Sequence, residues 1–216
     1  NGIGVITINN PPANAMNFEA KKGVSQYIEA CMQDDACEAV VITGEGRIFV
    51  AGADISEFGK KTPDGVPELE DLIQEIENSP KPVVAAINGL ALGGGMELAM
   101  GCHYRLALPT VKVGQPEVNL GFIPGGGGTQ RLPRLAGVEL ALEMIVTGKP
   151  IDADRALEAG AIDEIVEGDL LARAMEFATE QANSNQEPRR TCDQNEKVMN
   201  VDPKIFEDWR TRISRK

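Results

Sequence analysis

The spacing of apolar positions changes several times along the chain, and each change marks an element. Residues 4–9, GVITIN, alternate β-branched and small side chains and predict a strand, with a Pro/Asn turn region, NNPPANAMN, after it. From Asn17 the period lengthens: Val24, Tyr27, Ile28 and Cys31 recur at i, i+3, i+4 and i+7, which predicts a helix with Asn17 as N-cap. EAVVITG predicts a buried strand ending at Gly44, and AGADISEFG a loop leading to a second amphipathic helix. That helix has a face marked by Val66, Leu69, Leu72, Ile73 and Ile76 and ends at Ser79-Pro80. PVVAAING predicts a third strand, 94–102 a helix, 104–108 a strand-like piece, and 109–128 a loop ending in PGGGG. Further helices are predicted over 137–147, 152–159 and 168–184. Strands and helices alternating in this way give an α/β fold with helices covering the sheet.

Composition narrows what such a domain can do. The 216 residues are 42% hydrophobic and 4% aromatic, enough for one domain with a sizeable core. A formal net charge of −12 argues against nucleic acid or an anionic membrane as partner, since both require a basic face. No stretch approaches the length of a membrane-spanning apolar run, and no secretory leader is visible in the first thirty residues. Cys31, Cys37, Cys102 and Cys192 form no CxxC pair and read as reduced thiols. From about residue 184 the texture changes: residues 187–216 carry more Lys and Arg than Asp and Glu, unlike the acidic body, and read as a linker running into a truncated helix.

Seven of the 23 glycines fall in two clusters, 93–95 and 125–128. The first, in GLALGGGMELAMGC, opens directly into a helix with Glu97 in its first turn. A helix N-terminus exposes unpaired N–H groups and partial positive charge, and glycines let an oxygen approach that backbone. Neither a G-x-G-x-x-G nor a complete P-loop pattern is present, so the turn reads as an oxyanion site rather than a phosphate cradle. FVAGADI, residues 49–55, offers a second backbone donor at Ala53. Two converging N–H groups make an oxyanion hole, each donor typically worth about 10²–10³ in rate. Two carboxylates can supply proton transfer: Glu97, and Glu117 in the apolar loop GQPEVNLGFIPGGGG, where partial desolvation raises its pKa.

AGADI, NGLALGGGMELAMGCHYRLA, GQPEVNLGFIPGGGGTQRLPRLAG and TGKPIDADRALEAGAIDEIV, in this order and with twenty positions from Glu97 to Glu117, resemble the crotonase family, the enoyl-CoA hydratase/isomerase superfamily. The likeness runs from about residue 3 to 183. It implies a spiral of ββα units with a helical C-terminal region, and an acyl-CoA thioester as substrate. By the resemblance Ala53 and Gly94 donate to the thioester oxygen, Glu97 deprotonates water, and Glu117 exchanges a proton at C2. Ala51, Ala53, Asp54 and Ile55 are the implied contacts to CoA, while Ser56 departs from the lysine often found there. Both glutamates together imply a hydratase adding water across the 2,3 double bond of 2-enoyl-CoA in fatty-acid β-oxidation. No separate cofactor is implied, because CoA arrives with the substrate.

The rivals are a 3,2-enoyl-CoA isomerase of the same fold and a non-catalytic acyl-CoA-binding or assembly domain. Residues 184–216 look like the segment leading out of the hydratase domain of a bifunctional hydratase/3-hydroxyacyl-CoA dehydrogenase. The expected partners are thus a fused dehydrogenase domain beyond the C-terminus, or a homotrimer as in single-function members. The expected compartment is cytoplasmic in a bacterium, and peroxisomal or mitochondrial in a eukaryote. His103, the only histidine, lacks companion ligands and reads as packed or on the surface rather than bound to metal. Asp163, at a helix-to-strand junction, reads as structural, and Phe206 and Trp209 as anchors in the tail.

Overall fold

The computed structural model describes residues 2–184 and 186–214. After β1 (Ile3–Ile8) and α1 (Phe18–Gln33), the chain repeats a pattern of two strands and a helix. β2 (Ala39–Gly44) and β3 (Ile48–Val50) precede α2 (Leu69–Glu77); β4 (Val83–Ile87) and β5 (Leu90–Leu92) precede α3 (Gly94–Gly101). β6 (Tyr104–Ala107) and β7 (Lys112–Gly114) precede α4 (Gly128–Ala136) and α5 (Val138–Thr147). β8 (Ile151–Asp152), α6 (Ala153–Ala159), β9 (Glu164–Ile165), α7 (Leu170–Ala182) and α8 (Lys204–Ile213) complete the chain.

Successive strands of each pair enter different sheets. A five-stranded parallel sheet runs β1-β2-β4-β6-β9, and a smaller one runs β3-β5-β7-β8, with only β7 and β8 antiparallel. This is the spiral of ββα units that the resemblance implies. β4 and residues 39–42 of β2 are apolar throughout because both faces of the large sheet are covered, as parallel sheets require. Val40, Ile42, Val83, Ala85 and Ile87 point into the main core, while Ala39, Val41, Val84 and Ala86 meet Leu170, Ala174 and Ala178 of α7.

Asn17 caps α1 as expected, its Oδ1 accepting from Ala20 N at 2.8 Å, a contact worth about 1 kcal/mol. The boundaries differ elsewhere. α2 begins at Leu69, not at Val66. α4 starts at the last glycine of the predicted loop 109–128 and fills residues 129–136, where no element is predicted, and β7 with a 3-10 turn at Glu117–Leu120 lies inside that loop. β3, β5, β7 and β8 have two or three residues each, too few to show a period, and exist through pairing with one another.

Beyond residue 184 the described chain is fastened to the body. A 3-10 turn at Thr191–Asp193 is followed by α8, whose Trp209 is buried in a groove lined by Leu140 of α5 and Ala159, whereas Phe206 stays exposed. His103 is packed: its Nδ1 accepts from Val83 N at 2.9 Å, its Nε2 lies 3.2 Å from the Glu77 carbonyl, and burial lowers its pKa to about 4. With Nδ1 accepting, Nε2 carries the proton. Asp163 accepts from Arg105 N and pairs with Arg105 and Arg189. No helix among the described residues is long and apolar enough to cross a membrane, and no His/Cys/Asp/Glu group among them could hold a metal. The four cysteines are free; Cys192 is exposed rather than packed.

Candidate active site

The first glycine cluster sits where β5 turns into α3, and each glycine is required for a different reason. Gly93 has φ +51° and ψ −125°, a conformation open only to glycine, and a Cβ there would lie 3.0 Å from Glu117 Oε1. A Cβ on Gly94 would stand 3.0 Å from the Ala53 nitrogen and 2.8 Å from Leu69 Cδ2. A Cβ on Gly95 would lie 2.0 Å from the Val50 carbonyl oxygen, so this glycine lets α3 pack directly on β3.

The loop carrying Ala53 is pinned from behind. Met16 N donates to Gly52 O (2.9 Å), Ala51 N to Ala13 O (3.1 Å) and Asp54 N to Met16 O (3.3 Å). These bonds leave the Ala53 N–H out. Among the described residues neither Ala53 N–H nor Gly94 N–H is taken up by a protein acceptor, and the two residues lie side by side. Asp54 turns its carboxylate back onto Ser56, whose side chain and whose backbone N–H, at 2.9 Å, lower its pKa.

Ala53 and Gly94 line a cavity of about 500 Å³ together with Ala51, Ile55, Leu69, Glu97, Glu117, Leu120, Phe122 and Ile123. Asp54 lies outside this lining, on an adjoining cavity of about 600 Å³ that shares Ala53, Phe58, Leu69 and Phe122 and also carries Lys21 and Lys60. Phe58 and Phe122 meet edge to face between the two, with ring centroids 5.5 Å apart.

Glu97 is 2% exposed. Burial raises its pKa, opposed by backbone hydrogen bonds from the second glycine cluster and by the Arg131 charge. Gly128 N donates to its Oε1 at 2.8 Å, and Cβ atoms on Gly126 and Gly128 would lie 2.8 and 2.9 Å from its carboxylate oxygens. Glu117 begins the 3-10 turn and is half-buried; desolvation, with help from the Glu97 charge, lifts its pKa to about 7. With its amide NH2 turned to the carboxylate, the fully buried Gln115 donates to Glu117 Oε1 at 2.9 Å and Oε2 at 3.2 Å.

Glu97, Glu117, Ala53, Gly94, Ala51 and Ile55 thus share one cavity wall. Sequence reasoning passed over Gln115 and the carboxylate-holding role of Gly126 and Gly128. Gln115 left no periodic signal, because it follows the end of β7 at Gly114 and Glu117 opens a 3-10 turn. The second cluster had none, since its partner lies thirty residues away. The arrangement can stabilise an oxyanion at two backbone donors and move protons with two carboxylates on the same cavity.

Comparisons with known proteins give the family. The family model described as enoyl-CoA hydratase/isomerase matches residues 1–202. A peroxisomal bifunctional enzyme of Danio rerio is 47% identical over 176 residues, which is 82% of this chain and 24% of that protein. A probable enoyl-CoA hydratase of Bacillus subtilis is 47% identical over 165 residues, covering 74% of this chain and 64% of that one. A solved enoyl-CoA hydratase structure from Geobacillus kaustophilus superposes with TM-score 0.77 at 35% identity, over 85% of this chain and 73% of that one. The chain spans about a quarter of the length of its bifunctional relatives. On the match over nearly its whole length, the chain belongs to the enoyl-CoA hydratase/isomerase family.

Proposed function

We propose that this domain hydrates 2-enoyl-CoA thioesters. The observation that carries the reading is the joint placement of Glu97 and Glu117 on the cavity that also receives the free N–H groups of Ala53 and Gly94. The thioester oxygen lies against those two donors. Glu97 takes a proton from water, and the water oxygen bonds to C3. The C2–C3 π electrons shift toward the thioester, giving an enolate whose negative oxygen the two N–H groups stabilise more than the ground-state carbonyl. Glu117, protonated below about pH 7, delivers its proton to C2. The proton gained by Glu97 returns to Glu117 through solvent, so the balance is enoyl thioester plus water and needs no separate cofactor.

Ala51, Ala53 and Ile55, on the cavity wall, are assigned to the thioester and pantetheine, with Asp54 shaping the loop by its bond to Ser56. Hydration produces a 3-hydroxyacyl-CoA, whose oxidation is the reaction that follows chemically. The bifunctional naming of the relatives supports a dehydrogenase fused beyond residues 184–216, and their peroxisomal naming supports that compartment in a eukaryotic source. The test is the loss of ultraviolet absorbance when crotonyl-CoA is mixed with the protein. Prompt decay is expected in the parent and at least about 10²-fold slower decay in Glu97→Gln and in Glu117→Gln. Undiminished hydration in either variant removes that glutamate from the mechanism.

A further inference from the structure

A buried ion pair stands behind Glu97 without lining the cavity. Glu77, the last residue of α2, is 3% exposed; its Oε2 accepts from Arg131 Nε at 3.0 Å and from Nη2 at 2.6 Å. Arg131 Nη1 continues to the carbonyl oxygen of Gly126 at 3.1 Å. The other Glu77 oxygen, Oε1, accepts from the backbone N–H of Cys192 at 2.8 Å. Residues 189–193 are themselves sewn to the body: Thr191 Oγ1 donates to Met100 O at 2.9 Å, Arg190 Nη1 to Asn78 Oδ1 at 3.2 Å, and Arg189 pairs with Asp163.

These contacts run in series, from the outgoing segment through Glu77 and Arg131 to the loop that grips Glu97. Residues 125–128 have no side chains with which to fix their own path, and Gly127 has φ +96°. Arg131, one turn into α4, does it from outside: its planar fork grips the Glu77 carboxylate oxygen through Nε and Nη2 and the Gly126 carbonyl through Nη1, a fixed three-nitrogen geometry that the single nitrogen of a lysine does not reproduce. Stability alone is a weak reason for such a pair, because a well-packed neutral replacement of both partners is often as stable.

We propose that Arg131, held by Glu77 and by the docked segment 189–193, is a positioning residue that fixes the 125–128 loop against Glu97, coupling the segment that leaves the domain to the carboxylate that activates water. This rests on the reading of Glu97 as the base. The test compares the full chain with the paired variant Glu77→Gln/Arg131→Met, which leaves no buried charge unpaired, and with Arg131→Lys. In the paired variant kcat for crotonyl-CoA hydration is expected to fall about 10- to 100-fold with KM nearly unchanged. The acidic limb of the kcat profile moves to higher pH, because the Arg131 charge that favours ionised Glu97 is gone, the Glu70 charge that opposes it stays, and the Glu77 charge removed with Arg131 is not among the groups that shift Glu97. Amide hydrogen exchange at residues 126–128 accelerates. Arg131→Lys keeps the charge but not the fork, and is expected to lower kcat with the acidic limb in place. Wild-type kcat, pH limb and exchange in a paired variant that melts like its parent would overturn the proposal; if that variant does not fold, wild-type kcat and exchange in Arg131→Lys would do so. If the parent itself does not hydrate crotonyl-CoA, the functional reading fails, while the exchange rates still decide whether Arg131 holds the loop.

Discussion

The two glycine clusters look alike in sequence and do opposite things in the fold. Gly93–Gly95 lead into α3 and leave the Gly94 N–H without an acceptor among the described residues, at the wall of a cavity. Gly125–Gly128 lead into α4, yet there the Gly128 N–H is consumed by a side chain of the protein, Glu97. One helix start is left without a protein acceptor, the place proposed here for the thioester oxygen, and the other is filled by the Glu97 carboxylate. A helix N-terminus attracts negative charge in either case; what differs is whether the fold supplies that charge itself.

Alanine substitutions test this contrast directly. Gly94→Ala is expected to have the largest effect, because its methyl group would crowd Ala53 N and Leu69: kcat/KM falls by about 100-fold or more. Crotonyl-CoA hydration measures it, and near-normal turnover would remove Gly94 from the oxyanion site. Gly128→Ala pushes on Glu97 Oε1 instead, so kcat is expected to fall about 10-fold or more while the affinity for butyryl-CoA, a saturated analogue, holds. Calorimetric titration separates the two variants; equal loss of analogue affinity in both would erase the distinction between the clusters.

Glu117 gives an effect of intermediate size. As the acid it must be protonated, so the hydration rate is expected to decline as pH rises through about 7. The same shift has a stability consequence. A carboxyl with its folded pKa raised from 4.5 to about 7 contributes stability that is full below the unfolded value and lost as pH rises through the folded one. Glu117→Gln is therefore expected to gain in Tm relative to the parent by a few degrees between about pH 4 and pH 8, and no further above that. A melting series with no pH-dependent difference would contradict the desolvated state of Glu117. The smallest effect on stability is expected at Gly125→Ala, where a Cβ meets no protein atom within 4 Å: Tm stays near that of the parent.

Much of this was legible from residues alone, and the misses share a cause. The α1 cap at Asn17, the buried strands, α3 and the desolvation of Glu117 follow from neighbours within one turn or one strand. The second glycine cluster closes the predicted loop 109–128 and turned out to lead into α4, which runs on through Pro133 over residues with no predicted element, because the packing of Leu132 and Leu135 in the core overrides local propensity. The division of residues 39–114 between two sheets left no trace in the period, since β3, β5 and β7 are only three residues long.

The sequence by itself determined the α/β alternation, the glycine turn before Glu97 and the candidates Ala53, Gly94 and Glu117, because spacing, propensity and motif are properties of adjacent residues. Only the tertiary structure decided that Gln115 holds Glu117, that Gly128 holds Glu97, and that Arg131 and Glu77 tie this cradle to residues 189–193. Those contacts depend on which buried hydrogen-bonding group finds which partner, and the partner can lie more than a hundred residues away along the chain.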